Sequence, residues 1–302
     1  MNPDRVICLM GPTAAGKTDL AVAMVEAFDM DIVSVDSAMV YRGMDVGTAK
    51  PDADILARAP HRLINICDPA DPYSAGRFRD DALREIAAIQ AAGRTPLLVG
   101  GTMLYYRALL GGIAELPASQ ATVRDPLLAQ LEVQGAPAMH QRLAEIDPVA
   151  ATRIHPNDPQ RILRGLEVHA ITGRTLTEWQ NQTPPGLAQP VLKIAVMPED
   201  RAVLHERIER RFHQMLADGL IDEVEALYRR GDLNPDLPSI RAVGYRQVWK
   251  YLAGDYDRGE MIERGIIATR QLAKRQYTWL RSERDLHQMT APDLRAVAAL
   301  LG

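Results

Sequence analysis

Five apolar residues, Val6-Ile7-Cys8-Leu9-Met10, run directly into Gly11-Pro12-Thr13-Ala14-Ala15-Gly16-Lys17-Thr18, and this junction restricts the chain to few architectures. A short run that is apolar on both faces reads as a strand covered on both sides, the habit of parallel sheets. The eight residues after it fit G-x-x-x-x-G-K-[ST]. In that pattern backbone N–H groups turn inward on phosphate oxygens, and the positive end of the following helix lies behind them. The lysine reaches the outer phosphate and the last hydroxyl is free to ligate Mg²⁺. A strand before the loop and a helix after it, expected from Gly16 to about Phe28, supply the context the mechanism needs. Gly11, Pro12, Thr13, Ala14, Ala15, Gly16, Lys17 and Thr18 are therefore candidates to bind a phosphate chain, with Thr18 as the metal ligand.

The alternation continues downstream. Asp31 to Val35 reads as a second strand, Leu63 to Ile66 as a weaker third, and Thr95 to Val99 as a further buried one that ends at Gly100-Gly101. A helix is expected from Arg77 to Ala92, stopped by Gly93. From Pro117 to Gln182 the pattern is helical only. Asp147-Pro148 and Asp158-Pro159 each set a capping residue before a first-turn proline, and Gly173 stops the helix begun near Pro159. Val191 to Met197 returns to a strand, Asp200 caps the next helix, a long helix starts near Arg258, and Leu286 to Met289 reads as a last edge strand. The expected fold is α/β: a P-loop NTPase-like parallel sheet with flanking helices and an all-helical insertion. Residues 1–116 and 187–302 would form the core domain and 117–186 the insertion.

Composition excludes several classes. A net charge of −4 gives no bulk basic signal, so any nucleic-acid contact must come from local patches. Two cysteines, Cys8 and Cys67, make neither a four-ligand zinc site nor a disulfide framework. No apolar run approaches the ~20 residues that span a bilayer, and Val6 to Met10 is too short for a signal peptide. The reading is a cytoplasmic protein with no membrane partner, acting as a monomer.

Most chains with this loop bind ATP or GTP and carry an acid at the end of a second apolar strand to hold Mg²⁺ through water. Thr95 to Val99 is the natural strand for it, yet Gly100-Gly101-Thr102 follows. A diphosphate of another kind is favoured. Asp36 and Ser37, by contrast, arrive at the carboxyl end of the second strand, the edge where open α/β sheets bind ligands. Asp36 either accepts a proton beside the phosphates or closes an Asp-Ser turn; position alone leaves both open. Between Arg264 and Arg284 lie Arg264, Arg270, Lys274, Arg275, Arg281 and Arg284, against Glu283 alone, with Tyr277 and Trp279 interleaved. That suits phosphate contact and base stacking, or a solvated helix with Trp279 in the core. His155 beside Pro156 reads as a loop-structuring residue.

Longer blocks are more specific. Val35 to Pro51 (VDSAMVYRGMDVGTAKP) resembles the signature of tRNA dimethylallyltransferases, also called tRNA isopentenyltransferases. So do Gly11 to Thr18, Leu97 to Tyr105, His155 to Arg161, Ser239 to Gln247 and Arg270 to Gln276, in the family's order. Met39 stands where many members have glutamine or leucine. No Cys/His zinc segment of the kind eukaryotic relatives carry is seen, so the resemblance is to the bacterial type.

The resemblance implies transfer of a dimethylallyl group from dimethylallyl diphosphate to the exocyclic amine of the adenine on the 3′ side of the tRNA anticodon. It implies Asp36 as general base; Thr13, Lys17 and Arg211 beside the diphosphate; and Mg²⁺ on Thr18. It implies an adenine flipped from its stack, with tRNA contacts from Asp36, Ser37, Ala38, Met39, Thr102, Arg124, Gln160, Arg161, Ile162, Leu163, Arg164, Arg241, Ala242, Val243, Gly244, Tyr245, Arg246, Lys274 and Arg275. The helical insertion would grip the anticodon stem. Three rivals share some features: a P-loop kinase, an enzyme prenylating free adenine nucleotides, and a non-catalytic RNA-binding module. The missing acid after Val99 argues against the first, the blocks beyond residue 150 against the second, and the Lys17-Thr18 pair beside Asp36 against the third.

Overall fold

A computed structural model describes residues 4–302. In chain order the elements are β1 (Val6–Met10), α1 (Lys17–Ala27), β2 (Met30–Val35), α2 (Ala53–Arg58), β3 (His61–Arg62), α3 (Ala75–Ala91), β4 (Thr95–Gly100), α4 (Met103–Gly111), α5 (Ala121–Ile146), α6 (Pro148–Arg153), α7 (Pro159–Thr172), α8 (Leu176–Asn181), β5 (Val191–Val196), α9 (Arg201–Ala217), α10 (Leu220–Tyr228), α11 (Tyr245–Leu252), α12 (Arg258–Ser282), β6 (Leu286–Met289) and α13 (Leu294–Leu301). The chain separates into two compact units. One holds the residues up to Leu109 together with Ala188–Gly302; the other is Leu110–Leu187.

In the first unit six strands form one all-parallel sheet in the order β3-β2-β4-β1-β5-β6. β1 is central and all five of its residues are fully buried. Ile7 and Leu9 join Ile32, Leu97 and Ile194 in a core with Leu20, Ala21 and Met24 of α1 and Val297 of α13. Each such aliphatic side chain stabilises by about 1.5–3 kcal/mol on burial, so β1 is a rigid base for the loop that leaves it.

The third strand departs from expectation. It is His61–Arg62, not Leu63 to Ile66. Leu63 and Asn65 adopt positive φ of 62° and 56°, which ends the extended path. The segment after it donates from the Asn65, Ile66 and Cys67 N–H groups to the Met39 and Val40 carbonyls, and so braces the loop beyond β2. Arg62 is held by Asp31 at 2.9 Å and Glu85 at 2.8 Å.

The second unit is helical. Leu127, Met139, Leu143, Ile162, Leu163 and Leu166 make its core. Pro137 is accommodated because Gly135, at φ 77°, breaks the helical path inside α5. The expected caps are present: Asp147 accepts from the Ala150 N–H at 2.9 Å and Asp158 from the Arg161 N–H at 3.1 Å. Gly173 ends α7 in the left-handed region.

Candidate active site

The loop between β1 and α1, the turn after β2 and the turn after β4 meet at the carboxyl ends of adjacent central strands. They border a cavity of about 1330 Å³. Residues 13–19 line one side, Asp36 to Met39 and Gly47 to Asp52 another. α9 contributes Arg207, Arg210 and Arg211, the segment before α11 contributes Arg241 to Gly244, and α12 contributes Arg275, Gln276 and Trp279.

Gly16 caps α1 at φ 90°, ψ 22°, a conformation that side chains with a Cβ rarely adopt. Lys17 sits inside the cavity and donates to the Pro12 carbonyl at 2.7 Å. Burial, reinforced by the neighbouring charge of Arg211 and opposed by Asp36, pushes the Lys17 ammonium down to about 8. Burial also lowers the Arg211 guanidinium from its ordinary range, against the pull of Asp36 and Asp19. Two partly desolvated cations thus share the floor of the cavity, an arrangement that a polyanion relieves.

The turn-closing reading of Asp36 is seen directly. Its Oδ1 accepts from the Ala38 N–H at 2.8 Å and the Met39 N–H at 3.1 Å, which closes the turn. Oδ2 has no hydrogen-bond partner among the described residues and is left for the cavity. Thr102 ties the turn to β4: its hydroxyl accepts from the Ser37 N–H at 3.1 Å and its own N–H donates to the Val35 carbonyl at 3.3 Å. β4 itself ends on a glycine rather than an acid. A Cβ on Gly100 would collide with the Val35 backbone.

Of the other candidates, Thr13 to Thr18, Asp36 to Met39, Thr102, Arg211, Arg241 to Gly244 and Arg275 all line the cavity. Gly11 and Pro12 lie buried at the base of the loop, and Lys274 and Arg246 are exposed outside the cavity lining. Several residues expected to contact RNA have buried side chains. Tyr245 is fully buried, and its hydroxyl donates to Glu223 Oε1 at 2.5 Å. The same carboxylate accepts from the N–H groups of Asp45 and Val46 at 2.8 Å and Gly47 at 3.0 Å, so Glu223 and Tyr245 fix the loop that forms one cavity wall. Tyr277 is buried, with its hydroxyl on the Pro198 carbonyl at 2.6 Å, whereas Trp279 lines the cavity beneath the Arg107 guanidinium.

In the helical unit, the side chains of Ile162 and Leu163 are buried in that unit's core. Gln160 and Arg161 are exposed. Arg124 and Arg164 reach Glu167, which is fully buried, at 3.3 and 3.1 Å. Burial alone would raise the Glu167 carboxyl. The Ser119 hydroxyl and the two arginines outweigh it and hold the group below the usual carboxylate range. His155 structures its loop, with Nδ1 accepting from the Asn157 N–H at 3.1 Å.

Sequence reasoning missed Gln276 and Glu223. Gln276 lies on one helical stripe with Ala273, Tyr277 and Leu280, all buried, and a polar residue on such a stripe was the available signal. Its Oε1 accepts from the Thr13 N–H at 2.9 Å and its Nε2 donates to the Gly101 carbonyl at 2.8 Å.

Comparison with known proteins decides the affiliation. The IPP transferase family matches residues 39–283. The chain belongs to that family. The match starts three residues past Asp36, but solved relatives extend over the whole chain. The full-length tRNA isopentenylpyrophosphate transferase of Bacillus halodurans is 35% identical with a TM-score of 0.70, covering 99% of this chain and 94% of that one. The tRNA delta(2)-isopentenylpyrophosphate transferase of Staphylococcus epidermidis is 31% identical with a TM-score of 0.69, covering 98% and 97%. A eukaryotic dimethylallyltransferase acting on tRNA is 27% identical with a TM-score of 0.76, covering 91% of this chain and 69% of that one. The chain is thus an enzyme of the prenyltransferase class on a P-loop-like α/β fold. Among the described residues no helix of this IPP transferase is long and apolar enough to cross a membrane.

Proposed function

We propose that this IPP transferase moves a dimethylallyl group from dimethylallyl diphosphate to the exocyclic amine of the adenine 3′ of the anticodon in tRNA. The observation that carries the reading is the placement of Asp36 and the Lys17-Thr18 loop on one cavity of about 1330 Å³. Ligand pockets for a single small molecule are usually about 300–1,000 Å³, so a diphosphate and an extruded purine fit together.

The diphosphate lies along residues 13–18, with Lys17 and Arg211 against its oxygens. The adenine amine is a weak nucleophile because its lone pair is delocalised into the ring. Its nitrogen attacks C1 of the prenyl chain as the C1–O bond to the diphosphate breaks. The bond's electron pair leaves with the diphosphate, and the amine proton passes to Oδ2 of Asp36. Lys17, Arg211 and the loop N–H groups are fixed where charge grows on the leaving group, so little reorganisation is needed during reaction.

Mg²⁺ fits the donor set. The Thr18 hydroxyl borders the cavity, and no cluster of three His, Cys, Asp or Glu side chains forms a cage among the described residues. The Thr18 hydroxyl would hold such a hard ion beside the diphosphate. When bound it neutralises charge on the leaving diphosphate. On the first unit the tRNA would lie along Lys274 and Arg275; in the helical unit, taken by itself, Gln160 and Arg161 are exposed and open to RNA. The test is mass spectrometry of an anticodon stem-loop RNA after incubation with dimethylallyl diphosphate and Mg²⁺. A mass gain of one dimethylallyl group on that adenine is expected. No gain with RNA, together with phosphoryl transfer from ATP to a small acceptor, would replace the reading with a kinase.

A further inference from the structure

Among the polar side chains of the cavity that take no part in the chemistry above, Gln276 joins two separate turns. Gln276 is buried, lies one residue past Arg275 on α12, and uses both ends of its amide. It accepts from the Thr13 N–H at 2.9 Å and donates to the Gly101 carbonyl at 2.8 Å. Those two partners belong to different strands' turns, the phosphate loop after β1 and the turn after β4. The fit is steric as well: a Cβ on Gly101 would strike Nε2 of Gln276. The Thr13 N–H is therefore spoken for, and the Thr13 hydroxyl, which has no protein partner among the described residues, is held at the cavity wall.

We infer that Gln276 is a positioning residue for prenyl transfer: it bolts α12 to the phosphate loop and to the β4 turn, and thereby fixes the Thr13 hydroxyl against the leaving diphosphate. This rests on the reading of the cavity as a prenyl-transfer site. An amide is suited to the task because it offers one acceptor and one donor without charge. A carboxylate in its place would accept from Thr13 but face the Gly101 carbonyl with no proton to give. Gln276 touches no reacting atom. Its effect should appear as misplacement of the cradle, which costs up to about 10²-fold in rate for a shift near 1 Å.

The test uses Gln276→Leu, Gln276→Glu, Gly101→Ala and the double variant Gly101→Ala/Gln276→Ala beside Gln276→Ala. For Gln276→Leu, kcat should fall about 10- to 100-fold, with tRNA affinity and the stoichiometry of stem-loop binding unchanged, because the exposed Lys274 and Arg275 remain. Gln276→Glu should lose less, having kept the Thr13 bond. The double variant should lose less than the product of its singles, because alanine at 276 removes the atom that Gly101→Ala strikes. Hydrogen exchange at the Thr13 amide reads the bond independently of turnover, and Gln276→Leu should accelerate it. Wild-type kcat in Gln276→Leu, a rate loss matched by lost binding-competent protein, strictly multiplicative losses, or an unchanged Thr13 exchange rate would each overturn the inference. A wild-type enzyme that fails to prenylate RNA while Thr13 exchange responds as expected would sink the proposed reaction and leave the bolt standing.

Discussion

Raising the pH above 8 should loosen the enzyme's hold on diphosphate while the folded chain itself gains stability from the same group. An ordinary lysine titrates at 10.5, and Lys17 is pushed down to about 8 by burial and by Arg211. With that value about nine-tenths of the free enzyme carries the proton near pH 7 and about one-tenth near pH 9. A diphosphate seated against the ammonium favours the charged form, so binding takes up a proton and affinity should fall about tenfold between those pH values. The sign for folding is opposite. Between about 8 and 10.5 the unfolded chain keeps a proton that the folded chain has released, so this group makes stability rise with pH there. Calorimetric titration with inorganic pyrophosphate in two buffers of different ionisation heat measures both affinity and proton uptake. Lys17→Met corrects for the ligand's own protonation: it should bind weakly, and the extra pH dependence should vanish. Equal proton uptake in wild type and Lys17→Met near pH 9 would refute the reasoning.

Asp36→Asn keeps an acceptor for the Ala38 and Met39 N–H groups but cannot take a proton, so turnover should fall about 10²–10⁴-fold while pyrophosphate affinity holds; near-normal turnover in a single-turnover assay would remove Asp36 as the base. Lys274→Glu with Arg275→Glu should weaken tRNA binding and flatten the salt dependence of its affinity by about two charges' worth, and filter binding across a salt series would show an unchanged slope if α12 is only a solvated helix. Glu223→Ala strands three backbone N–H groups and the Tyr245 hydroxyl, and urea denaturation should register a loss of about 3 kcal/mol or more, against a smaller loss for Tyr245→Phe.

The parts of this molecule visible in its sequence are those set by local chemistry. β1 and its loop were legible because an unbroken apolar run and a glycine-framed lysine have few other uses. The caps at Asp147, Asp158 and Asp200 were legible because each side chain bonds a backbone N–H two or three residues on. The third strand was misplaced because its two residues are set by long-range partners, Asp31 and Glu85, and the apolar Leu63 that follows has left the extended region. Shared blocks pointed to the candidate site but did not separate exposed residues from buried ones. Tyr245 belongs to such a block and is buried. Gln276, Glu223 and Glu167 stayed hidden for a related reason: most of their partners are backbone or distant groups, which leave no spacing rule in the sequence.

The crowding at the end of β4 reaches beyond catalysis. Gly100 is pressed against the Val35 backbone and Gly101 against Gln276. A nucleotide hydrolase would need an acid at about this place, and neither position can receive one while its neighbour stays put. In this packing both positions are thus confined to glycine, Gly100 by the Val35 main chain and Gly101 by the Gln276 side chain.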